Sequence, residues 1–122
     1  EDSFIAAGFW NPNKEDLLRI RREIEFDGQE FKRIINQEKI KDFWGDIKGD
    51  ELKTSPKGFD SDHQHIDMIK KKQFIFIKKL KEKEILDPSF QKKLVNYFSS
   101  IRPFFDYMSE ILTTNLNGES TI

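Results

Sequence analysis

The chain contains no cysteine. That excludes thiol nucleophiles, zinc–thiolate centres and disulfide staples together, and it fits a reducing compartment such as the cytoplasm. Long apolar runs are also missing. The longest, Phe4 to Trp10 with Gly8 inside it, falls far short of the roughly 20 residues a membrane-spanning helix needs, so no membrane partner is expected. Glu1 and Asp2 open the chain without a basic region, which argues against a signal peptide. The missing initiator methionine points to a processed product or a piece of a longer chain. Net charge is nearly absent as well, at -1, so no global field steers the chain toward nucleic acid or an acidic surface. Any electrostatic partner must meet a local patch.

What is present is charge of both signs and phenylalanine. Charged residues make up 35% of the 122 residues, and twelve phenylalanines carry much of the apolar volume, enough for one small folded domain. Phe4 to Trp10, closed by Asn11-Pro12-Asn13, reads as a short strand buried on both faces. Asn13 caps a helix with Leu17, Ile20 and Ile24 at helical spacing, and Asp27 restarts the pattern with Glu30 at the capping-box position. A third helical piece holds Ile40, Phe43 and Trp44 and ends at Gly45. Glu51 to Ser55 is a further short strand, and a helix is expected from about Asp62 to Lys71. Gln73-Phe74-Ile75-Phe76-Ile77 gives the strongest strand signal, apolar on both faces and therefore central. Asp87-Pro88 opens a helix with Phe90, Leu94, Tyr97 and Phe98 inward, and Pro103 separates it from a last one carrying Phe104, Phe105, Met108, Ile111 and Leu112. The expected class is α+β, mostly helical, with two or three short strands packed against helices. Residues 1–114 form a single domain in this reading and 115–122 a flexible tail.

Both histidines and a cluster of acids fall in the stretch from Leu52 to Lys72. Asp60, Asp62, His63, His65 and Asp67 resemble a metal cluster, but only His63 and Asp67 share a helical face, and two ligands are too few, so no metal is expected. His63 is a candidate general base, since an imidazole titrates near neutral pH, yet no nucleophile motif accompanies it. Pro56-Lys57-Gly58 ahead of a helix start has the makings of an anion site, with Lys57, Gly58 and His63 in it and Arg21 or Lys72 converging on it. It is no Walker motif, because the upstream glycine and following hydroxyl are missing. Lys70, Lys71, Lys72, Lys78, Lys79, Lys81 and Lys83 flank Phe74 and Phe76, a pattern that can bind single strands by stacking. Ile75 and Ile77 fill the strand's other face, however, which leaves no exposed platform and argues against nucleic acid.

Gly8-Phe9-Trp10-Asn11-Pro12, Leu17 to Ile24, Leu52 to Phe59, Asp62-His63 and Ile69 to Lys72 with the following strand together resemble the C-terminal half of a bacterial family called domain of unknown function 2461. That family usually has proline after the aspartate-histidine pair, where Gln64 stands here. The resemblance implies half a domain with no assigned activity, and a contact with an N-terminal half. The function expected is that of a structural, ligand-binding or partner-binding part of a cytoplasmic protein, without a cofactor. The alternatives are an enzyme of phosphate-bearing or other anionic substrates using Lys57, His63 and Arg21, and nucleic-acid binding through the lysine-rich strand ends.

Overall fold

A computed structural model describes residues 3–115 and 117–121. Its elements run in the order β1 (Ser3–Phe9), α1 (Lys14–Ile35), α2 (Glu38–Trp44), α3 (Ile66–Ile69), β2 (Phe74–Leu80), α4 (Glu82–Ile85), α5 (Phe90–Ser100) and α6 (Arg102–Thr113). The fold is α+β and mostly helical, with β1 and β2 paired antiparallel from Ser3 opposite Leu80 to Phe9 opposite Phe74. Among the described residues no helix is long and apolar enough to cross a membrane.

Local signals account for most of these boundaries. The Asn13 side chain accepts the Asp16 amide at 2.8 Å and so starts α1. Asp27 breaks that helix, at φ -147° and ψ 62°, and its carboxylate accepts the Glu30 amide at 3.4 Å, so the expected restart is a kink with its own cap. Glu30 does not complete a capping box; its carboxylate pairs with Arg33. Pro103 stands in the first turn of α6, where its missing N–H costs nothing.

The core is a relay of aromatic rings. Phe31 of α1, Phe74 and Phe76 of β2 and Phe104 of α6 have no exposure, with Phe31 edge-on to Phe74 at 6.0 Å and Phe76 edge-on to Phe104 at 5.1 Å. Trp44 ties α2 to α5 by donating its indole N–H to the Tyr97 carbonyl at 2.9 Å and the Ser100 hydroxyl at 3.1 Å.

Several expectations are corrected. β1 is not buried on both faces: only Ala7 is buried and Phe4 is 62% exposed, and among the described residues the strand pairs only with β2. The strand expected at Glu51 to Ser55 reduces to a single bridge, Glu51 opposite Lys71, and a separate bridge sets Lys48 opposite Ile75 of β2. Ile77 is half-buried where full burial was expected, and Phe98 is 45% exposed. The helix expected from Asp87 begins at Phe90, since the Asp87 carboxylate takes the amide and hydroxyl of Ser89 in a local turn. Of the segment 115–122, Leu116 and Ile122 lie outside the described residues. Thr114 and Ser120 form a bridge, and the Arg19 guanidinium donates to the Thr114 and Asn115 carbonyls at 2.8 and 3.2 Å.

The buried ring relay makes Phe76→Ala expensive. Its truncation should cost about 3–5 kcal/mol in urea denaturation, and a loss below about 1 kcal/mol would show that β2 is not the centre of the core.

Candidate functional site

The segment that carries the histidines is a loop closed at its base. Leu52 donates to the Lys70 carbonyl at 2.8 Å and Lys72 donates to the Asp50 carbonyl at 2.7 Å. Between them the chain makes successive tight turns. Phe59 donates to Pro56 O at 3.1 Å, with Gly58 at φ +87°, a left-handed position that glycine takes without strain. His63 then donates to Asp60 O at 3.1 Å and Ile66 to His63 O at 3.0 Å. The helix expected over residues 62–71 is therefore only α3, four residues long. Local turns stand in its place, in which the Asp60 carboxylate accepts the Asp62 amide at 2.9 Å and His63 Nδ1 accepts the His65 amide at 3.0 Å.

One face of α1 holds this loop. Arg21, Glu25, Gly28 and Lys32 follow at spacings of four, three and four, so they share a stripe. Arg21, 9% exposed, donates from Nε to Ile69 O at 2.7 Å and from Nη2 to Lys71 O at 3.0 Å. The Glu25 carbonyl, freed just ahead of the Asp27 break, meets His63 Nε2 at 3.1 Å. Because His63 Nδ1 accepts, Nε2 carries the proton and donates. Gly28 lies flat against His65, and a Cβ built there would stand 2.2 Å from the imidazole Cδ2. Lys32 pairs with Asp67 at 3.1 Å.

The sequence-predicted site residues thus separate. Lys57 and Gly58 are exposed at the loop tip. Arg21 is committed to backbone carbonyls, His63 to an amide and a carbonyl, and exposed Lys72 lies at the loop base beside Asp50. The cation that does reach the tip is Arg22, whose guanidinium stacks 4.3 Å over the Phe59 ring and lies 3.5 Å from a Cβ built on Gly58. Its register one position from Arg21 was the available signal. Among the described residues, no three acids or histidines are grouped to hold a metal. A cavity of about 200 Å³ lies elsewhere, between α1 and α6, where Arg19, Glu23, Tyr107 and Thr114 line it and the Tyr107 hydroxyl is buried without a partner. Burial, then the nearby carboxylates of Glu23, Asp27 and Glu30, push that phenol up.

A family model described as a conserved hypothetical protein (DUF2461) matches residues 1–107. No curated protein and no solved structure matches the chain.

The loop's attachment to α1 has two measurable consequences. Gly28→Ala should destabilise by about 1–3 kcal/mol even though alanine favours helix, because the added methyl overlaps His65. An unchanged or raised denaturation midpoint would mean the contact is loose. Burial, with Lys32 and His63 adding to it and Asp67 and Asp27 opposing, holds the His65 imidazole below its ordinary 6.5. The unfolded chain then takes up a proton near that value while the folded chain does so only at lower pH. The stabilising contribution is full above pH 6.5 and is lost as pH falls through it. Denaturation midpoints between neutral and mildly acidic pH should fall less steeply in His65→Gln than in the parent; equal slopes would exclude His65 as the source.

Proposed function

The chain belongs to the DUF2461 family of conserved hypothetical proteins, and from that membership we propose that it is a non-enzymatic, partner-binding part of an α+β domain. In this reading it is the C-terminal half of that domain, and β1 receives a further strand from the N-terminal half. The observation that carries the proposal is the free edge of β1. Its seven residues, Ser-Phe-Ile-Ala-Ala-Gly-Phe, contain no charge and no proline, and among the described residues that edge has no backbone partner. Edge strands are ordinarily guarded by lysine, proline or a bulge, and an unguarded one is a template for strand addition. Phe4 at 62% and Trp10 at 45% exposure add apolar surface beside it. Two strands are also fewer than a self-supporting sheet ordinarily has. The chain's lack of cysteine supports a reducing compartment, which we take to be the bacterial cytoplasm.

A second, smaller reading keeps an anion contact at the loop tip. Arg22, which reaches Gly58 while paired with Glu25 at 3.0 Å, favours it where Arg21 and Lys72 do not.

Backbone hydrogen exchange tests the main reading. Mixing the chain with a separately expressed N-terminal half of a family member should slow exchange at Ser3 to Phe9, and Phe4→Lys should weaken the protection. Unchanged exchange with that half in excess would overturn the proposal. So would equal protection that arises from self-association alone.

A further inference from the structure

We propose that the hollow between the end of β2, α4 and α5 is a binding site for a compact oligophosphate, formed by Lys78, Lys79, Lys81, Lys83 and Lys93. These lysines line one cavity of about 370 Å³, within the size range of small-ligand sites, in a chain whose net charge is only -1. None of the five forms an ion pair among the described residues. The two acids on the same wall are already engaged. Glu84 accepts the Tyr97 hydroxyl, and Asp87 accepts the Ser89 amide at 2.8 Å and hydroxyl at 2.7 Å. Those donors are neutral, so five lysines share the hollow with two carboxylates, an excess of positive charge that a multiply charged anion can meet from several lysines at once.

The arrangement also selects the kind of anion. The lysines come from three elements around a hollow, rather than along a track, which suits several phosphates held close together. The neighbouring rings Phe74 and Phe76 have no exposure, and Tyr97 is buried under Lys78 at 5.6 Å. Among the described residues no aromatic side chain lines the hollow itself, so the phosphates are what it recognises. This site is separate from the free edge of β1 and from the loop tip at Lys57.

Isothermal titration with inorganic tripolyphosphate is the test. Binding should be saturable, weaken as salt rises, and exceed that of orthophosphate by about tenfold or more. Lys79→Ala and Lys83→Ala, both at exposed positions, should each weaken it about fivefold with melting temperature unchanged. Lys57→Ala should leave it as it is. Absence of saturable binding at millimolar tripolyphosphate would overturn the site, as would binding indifferent to the lysine changes. Tighter binding of a single-stranded oligonucleotide at equal phosphate would overturn the compact ligand.

Discussion

The buried guanidinium of Arg21 is the contact on which the rest of this fold depends. It leaves water to meet two carbonyl oxygens, those of Ile69 and Lys71, immediately before β2 begins. Burial lowers its pKa, yet arginine keeps its charge at any physiological pH. A charge taken from water must be matched by fixed dipoles, so the backbone at 69–71 cannot drift without leaving it unsatisfied. That pins the start of β2 to α1 and brings Phe74 onto Phe31. β2 in turn supports β1 along its whole length.

Much of the framework was legible because it rests on local rules. Asn13, Asp27 and Gly45 cap or break where their side chains and backbone freedom say they should. The rings of Phe31, Phe74, Phe76 and Phe104 were expected inside and are there. The failures lie where contacts outside the local pattern decide the outcome. Ser61-Asp62-His63-Gln64 has capping-box spacing, but the segment folds as turns in which Asp60 and His63 accept amides two residues on, and helix is confined to α3. β1 has a buried strand's composition, while its burial depends on a neighbour that local sequence does not specify. Gly28 leaves room for the His65 ring, a contact far along the chain that no local pattern reveals.

The fate of the histidines reshapes the chemical reading. A general base needs a free lone pair facing a reactant, and His63 has given both nitrogens to the backbone. His65 is closed in against α1. Neither imidazole is therefore placed as a free base at the surface.

The pairing register carries a consequence for the order of folding. The bridge of Lys48 with Ile75 and the closure of Leu52 on Lys70 join residues a loop apart, whereas Ser3 opposite Leu80 spans most of the chain. Closing the short loops loses less chain entropy, so β2 is fastened on its Lys48 side before β1 arrives. β1 is then the last strand to dock and the first to detach. Each such opening bares the backbone of β2, so the time spent without β1 governs how readily the chain is trapped by a foreign strand.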